Sequence, residues 1–525
     1  MANISFNSPY LNGVELTSSE GWFFARKLCA APTAARASAI ESMGVDAWIE
    51  KQLNPDSLTE SAQYNSERKA IFPSCFIKAP AGKTLDKNFY DTYHGGNRHK
   101  NYDVATYVLE AAFHRSWASE KQLQAKIAQF WADTVAASIE KSPDGFHDYV
   151  NVLFDGALGK YSDLLWELIN TRTMNLFLDN ITNTQFALNE NMGREIMELH
   201  TWGTDKGYSQ DDVVAVAKLM TGFKGNYDGV LSEARPDLHF FGPITVCGRT
   251  LENGGSTAED MYATLRELID YLTHDRGTAM RISRRLIQYF VGEHQDWQGL
   301  QQKMADAYLE ADTDIRPVLR ILFKSAEFRA SGGQTIQRPA SVLASLFASG
   351  KLKLKNTNNL SDMSVIYTPL YRVFMMLNYY SAGMPYTAPA TDGYPLSPRA
   401  WINSTNVNSI SKFSRFTNYI STWDGNAKDS FARWAEPIDW ADALGITVGK
   451  TSVNDAARKV FVTLTGYSIE NEPNIVGALA TFAKNTTPEA VSGDARVADS
   501  ERISSDDEVK RLVEATLTAP HFLLV

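Results

Sequence analysis

The chain has 525 residues, with 61 acidic against 51 basic side chains and a formal net charge of -10. That surplus argues against a phosphate-neutralising surface, so nucleic acid is not an expected partner. Hydrophobic residues at 44% and charged residues at 21% suit a globular protein and exclude wholesale disorder.

The first residues, Met1 to Gly13, are polar and show neither a basic n-region nor an apolar h-region. Two readings follow: a cytoplasmic chain, or an exported one whose leader lies outside this sequence. No stretch approaches the roughly 18 consecutive apolar residues of a membrane span. From there helical periodicity dominates. Ser18 and Ser19 offer N-caps to the run Trp22 to Leu28, which ends before Pro32. A second helix is predicted from Thr33 through Met43, broken by Gly44 and resumed over Val45 to Leu53. Lys78 to Tyr102, crowded with Gly, Asn, His and Lys, reads as a long surface loop.

Helices are then predicted over Val104 to Trp117, Glu120 to Ser138, Tyr149 to Leu158, Leu164 to Leu178 and Glu190 to His200. Ser209 caps a further one, Asp211 to Met220, whose acidic first turn suits the helix dipole. Ile244 to Cys247 is the one expected β element. Helices resume at Ala258 to Leu272, Ala279 to Val291 and Ile315 to Phe328, and Gly332-Gly333 marks a candidate boundary. The expectation is a mainly α, multi-helical protein of two helical regions, 1–332 and 333–525. The second region carries an aromatic, proline-rich insert over 379–401 with Tyr379, Tyr380, Tyr386, Tyr394 and Trp401. The helix starts at Asp314 and Glu508 share an offset to Phe328 and Phe522, an echo that two short amphipathic helices also produce by chance.

Cys29, Cys75 and Cys247 lie far apart and form no CxxC pair, which removes a cysteine-rich zinc site. Three small buried hydrophobes are favoured over one bridge plus a free thiol.

The segment Asn189-Glu190-Asn191-Met192-Gly193-Arg194-Glu195-Ile196-Met197-Glu198-Leu199-His200-Thr201-Trp202-Gly203 resembles the signature of the bacterial family of domain of unknown function 1800 (DUF1800). In order along the chain, Ala157-Leu158-Gly159, Phe177 to Asn180, Gly207 to Val213, Leu219 to Phe223, Arg284 to Val291, Phe323 to Phe328, Arg338-Pro339, Gly383-Met384-Pro385, Asp392-Gly393-Tyr394-Pro395 and Trp401 fit its pattern. The resemblance implies a mostly helical protein, usually exported to the periplasm or beyond, and often encoded beside sulfatase-like proteins. It is sometimes fused to carbohydrate-binding modules, and it implies no settled activity. Two departures stand out. Where the family shows a "FWHNHF"-like run this chain has Phe130-Trp131-Ala132-Asp133-Thr134-Val135, and a family His-Asp pair is matched by His239-Phe240.

On a helix of 3.6 residues per turn, Met192, Ile196 and Leu199 form an apolar stripe, with Asn191, Arg194, Glu195 and Glu198 on the other side. Two carboxylates one turn apart beside a guanidinium can hold one acid neutral and one charged, as acid/base work requires. Glu190–Arg194 and Arg194–Glu198 are also i,i+4 pairs, each worth about 0.2–0.5 kcal/mol on a solvated face. His200 lies about 140° from Glu195 at that pitch, and neither HExxH nor a repeated Glu-x-x-His is present, so no metal or cofactor is expected. There is no GxSxG elbow, P-loop or GxGxxG in a strand–turn–helix context. His114 and Arg115 read as residues stabilising a helix end.

Two functions compete. One is an exported hydrolase of glycosidic bonds, with Glu195 as proton donor, Glu198 as second carboxylate and Arg194 as the charge between them. Asn189, Asn191, His200, Trp202, Asp133, Trp131 and Tyr394 are its candidate contacts to a polysaccharide. The other is a non-catalytic surface or assembly protein, working with a sulfatase-like partner, in which the same helix is an internal scaffold.

Overall fold

Side-chain caps set the helix starts that the sequence predicts. In the computed structural model the described residues are 3–8, 15–71, 98–143, 145–204, 207–225, 232–293, 297–354, 386–401 except 389, 438–470, 472–484 and 497–519, with 383, 403, 406 and 436. Ser19 accepts from the Trp22 amide to begin α1 (Glu20–Leu28), and Thr33 accepts from Arg36 to begin α2 (Ala34–Met43). Gly44, with φ of 84°, separates α2 from α3 (Val45–Gln52). Reciprocal capping boxes, Ser209 with Asp212 and Thr257 with Asp260, open the helices Gln210–Leu219 and Ala258–Thr273.

Several predicted helices differ from those observed; Ile315 to Phe328, for one, is divided at Ser325 into Ile315–Lys324 and Ala326–Arg329. The helix after the surface loop begins at Arg98 and runs to Ala118; residues 72–97 and the cysteine Cys75 lie outside the described part. The run expected to reach Ser138 stops at Ala132, where the Thr134 hydroxyl donates to the carbonyls of Phe130 and Trp131 and ends the ladder. The run 164–178 is two helices, Tyr161–Ile169 and Arg172–Phe177. Thr171 caps the second and Asn175 Nδ2 donates to the Ile169 carbonyl at 2.8 Å. Polar side chains that bond their own backbone interrupt a helix that periodicity alone would continue.

The strand expected at 244–247 is present as Ile244–Val246, paired antiparallel with Arg249–Leu251. Two further hairpins join it, Asn3–Asn7 with Glu15–Ser19 and Phe223–Gly225 with Ser232–Ala234. Their strands are too short to establish a period-2 pattern in the sequence. The chain is thus mainly α with three two-stranded sheets among the described residues. No helix among them is long and apolar enough to cross a membrane.

One contiguous buried cluster runs from Trp22 to Leu517, with residues on both sides of 332 contributing. Phe23, Phe24, Phe323 and Phe328 meet edge-on or tilted, and Phe347 of helix Pro339–Ser349 packs on Phe113 and Trp117 of the helix Arg98–Ala118. Burying each such ring contributes about 1.5–3 kcal/mol. Near the two ends of the chain, Ser18 pairs with Tyr467, whose ring lies 3.9 Å from the Arg26 guanidinium. The offset echo is half described: Asp314 caps a helix that stops at Lys324, short of Phe328, and Phe522 lies outside the described residues.

Candidate functional site

The central motif is a helix that changes pitch. Asn191–Glu195 is α-helical, and Ile196–His200 continues as a π-turn. A π-turn inserts an extra residue and leaves carbonyls without their usual partners. Here side chains take them: Thr201 Oγ1 donates to Ile196 at 2.7 Å, Arg281 Nε to Leu199 at 3.0 Å, and Tyr161 Oη to His200 at 2.6 Å. The wider turn also rotates the apolar face. Met192, Ile196 and Met197 are buried, and Leu199 is only half-buried. Gly193 allows the motif to lie against helix Gln210–Leu219, since a Cβ there would stand 2.9 Å from the Ala217 nitrogen.

The same change of pitch sorts the charges. Arg194 bonds Glu190 at 2.9 Å and Gln210 at 3.2 Å, and the described contacts do not include the i,i+4 pair with Glu198. Glu195 and Glu198 remain half-buried and close enough to feel each other's charge. Glu198 accepts from the Tyr208 hydroxyl at 3.4 Å. Glu195 accepts from the Thr391 hydroxyl and lies near Asp392, both from the 379–401 insert. Burial, and then the Glu198 charge, push the Glu195 carboxyl above the ordinary glutamate range. Three carboxylates from two distant segments thus share one partly shielded place.

Asn189 and Asn191 face inward to backbone. Asn189 Nδ2 donates to the Asp179 carbonyl and to Thr182, its Oδ1 accepts from the Asn191 amide, and Asn191 Nδ2 donates to the Leu178 carbonyl. These bonds hold the start of the motif.

The insert reaches the motif because it docks on the end of helix Gln122–Ala132. Gly393, at φ 82°, lies so close to Asp133 that a Cβ would stand 1.9 Å from its carbonyl oxygen. That carbonyl also accepts from Arg285 Nη2 at 3.2 Å, and the buried Asp133 carboxylate pairs with Arg338. The Arg338 guanidinium lies 4.7 Å from the Trp401 ring and 5.4 Å from Tyr289. Tyr394 packs on Trp401 at 5.7 Å and donates to the Thr387 carbonyl. Trp131 is fully buried, stacked on Tyr161 at 5.0 Å, with Nε1 bonded to the Ala157 carbonyl. Asp133 therefore anchors the insert from inside, Trp131 is a core residue, and Tyr394 lies partly open within the insert. Gly393→Ala combines left-handed strain of about 1–2 kcal/mol with a backbone clash. We expect it to undock the insert, detected as faster proteolysis within 379–401 and a lower Tm.

His200 and Trp202 are buried, Trp202 against Tyr271 at 6.0 Å. Burial, then Arg281 and Arg285, push the His200 imidazole down to about 3. A histidine held neutral in the fold charges on unfolding, so the unfolded chain takes up the extra proton below its own value near 6.5. Stability is therefore lost as pH falls from about 6.5 towards 3. A His200→Gln variant is expected to show a shallower fall of Tm over that window.

Arg285, Arg338, Thr391 and Asp392 are site residues that spacing did not single out. All four fall within or beside the family-like segments Arg284 to Val291, Arg338-Pro339 and Asp392 to Pro395, so the available signal was shared membership of a pattern. The remaining candidates are structural. His114 Nε2 bonds the Glu67 carboxylate at 2.8 Å, and His239 Nδ1 bonds the Thr221 carbonyl at 2.7 Å. Cys29 is buried and Cys247 half-buried, and burial pushes the Cys29 thiol up to about 12. Among the described residues no three His, Cys, Asp or Glu side chains gather as a metal site. Tyr379 and Tyr380 lie outside the described residues.

A family model described as a protein of unknown function (DUF1800) matches residues 24–524 of the chain. No curated protein matches it. No solved structure does either.

Proposed function

This chain belongs to the DUF1800 family, and on that premise we propose that it is an exported hydrolase of glycosidic bonds in which Glu195 is the proton donor. The observation that supports this reading is the half-buried Glu195 carboxyl, raised by burial and by Glu198 and held by Thr391. An acid whose proton is retained towards neutral pH can deliver it to a leaving oxygen.

In this reading Glu195 protonates the glycosidic oxygen, the bond from that oxygen to the anomeric carbon breaks, and positive charge develops on the sugar ring. Glu198 stabilises that charge and takes a proton from the water that adds to the anomeric carbon. Tyr208, on Glu198, and Tyr394, in the insert, offer flat faces to a sugar ring. A sulfatase-like protein would act on the same polysaccharide in an exported setting. The test is a hydrolysis screen over neutral, acidic and sulfated polysaccharides, with Glu195→Gln as control. Product from the parent and none from the variant supports the reading; no product from the parent with any polysaccharide overturns it.

The scaffold reading has its own supporting observation. The side chains of Asn189, Asn191, Arg194 and Asp133 each bond to the chain itself. If it holds, Glu195→Gln changes no activity and the chain is recovered with a sulfatase-like partner.

A further inference from the structure

Beside the insert lies a cavity of about 40 Å³ whose wall includes Lys27, Lys126, Arg338, Thr335, Tyr289 and Trp401. By the space a water needs, that volume holds about three waters, or one group of four or five heavy atoms. Three basic side chains border it and, among the described residues, no carboxylate does. Arg338 is neutralised by Asp133. Lys27 has no carboxylate partner among the described residues: its side-chain nitrogen donates to the Phe290 carbonyl at 2.9 Å and to Thr335 Oγ1 at 2.8 Å, and burial pulls it well below the ordinary lysine range. Among the described residues Lys126 makes no hydrogen bond or ion pair; its ammonium lies 5.6 Å from the face of Tyr289 and feels the Asp133 carboxylate only at longer range.

Two lysine side chains without a carboxylate partner among the described residues, beside a guanidinium, are costly to charge in a partly enclosed space unless something negative joins them. Burial, and then the charge of Arg338, pull Lys126 down to about 8, the cost read as a tendency to lose its proton. Leu396, Pro398 and Trp401 of the insert close one side of the cavity, so a group entering it is shielded from water. Shielding strengthens each ionic contact.

We propose that this cavity binds a small oxyanion, sulfate or phosphate in chemistry, held by Lys126, Lys27 and the free edge of Arg338. The inference stands apart from the acid–base reading, because neither Glu195 nor Glu198 borders the cavity.

The test follows Tm of the full chain against millimolar sodium sulfate and sodium phosphate, with sodium chloride matched for ionic strength. Binding gives a saturable rise of about 2–3 °C at a hundredfold excess over Kd. Lys126→Met, which removes a desolvated charge and keeps the stem, is expected to be at least as stable as the parent without anion and to lose that rise. Lys126→Arg restores it. Methyl sulfate and methyl phosphate separate the sources: a larger rise with the esters marks a group carried on a larger ligand, a larger rise with the inorganic ions a free ion. Equal shifts in parent and Lys126→Met, or no shift beyond chloride in the parent, overturn the proposal.

Discussion

An Asp133→Ala variant is expected to unfold with about 3–5 kcal/mol less free energy than the parent, read by urea or thermal denaturation. The size comes from what remains behind. Arg338 is mostly shielded, with the rings of Trp401 and Tyr289 beside it, so little of its charge reaches water. Removing one partner of such a pair leaves the other charge desolvated and unpaired. Replacing both, as in Asp133→Leu with Arg338→Met, should recover much of the loss, because neither charge then needs compensation. A double-mutant cycle that shows no coupling would mean that Arg338 finds another partner or opens to water.

Glu195→Gln is expected to lower turnover by 10²-fold or more once a substrate is identified, with the fold left intact. The sign of the stability change follows from linkage. Folding raises the Glu195 carboxyl, so the native chain binds that proton more tightly than the unfolded one. Stability contributed by the protonated form is present at low pH and is lost as pH rises from the unfolded value to the raised folded one. Glutamine does not ionise, so at neutral pH the variant should unfold at the same temperature as the parent or slightly above it. For the parent, activity that needs the protonated acid falls on the alkaline side as pH passes the raised value. A variant that loses several degrees of Tm would place Glu195 in the scaffold instead.

Local features were the legible ones. Ser19, Thr33, Ser209 and Asp314 cap helices where the sequence puts them, because a cap acts on amides two or three residues away. The pitch of the central motif was not legible. Its apolar spacing fits both a regular helix and a π-turn, and the choice is made by Arg281 and Tyr161, which capture carbonyls from elsewhere in the chain. The same holds for the site. Asp133 and Arg338 are 205 residues apart, and Thr391 and Asp392 reach Glu195 from a loop no periodicity describes. Lys27 left a readable trace, a lysine beside Arg26 at the end of the apolar run Trp22 to Ala25 of α1, where a buried cation needs a reason.

The π-turn has a dynamic corollary. An ordinary helix frays turn by turn, each step breaking bonds internal to itself. Between Ile196 and His200 two bonds also run outward, to helix Arg276–Phe290 through Arg281 and to helix Tyr161–Ile169 through Tyr161. The stretch bearing Glu198, with Glu195 at its entrance, cannot unwind alone; it opens only when those two neighbours loosen. Its amides should therefore share the slow, concerted exchange of the deepest cooperative unit of the protein rather than the quick exchange of a surface turn.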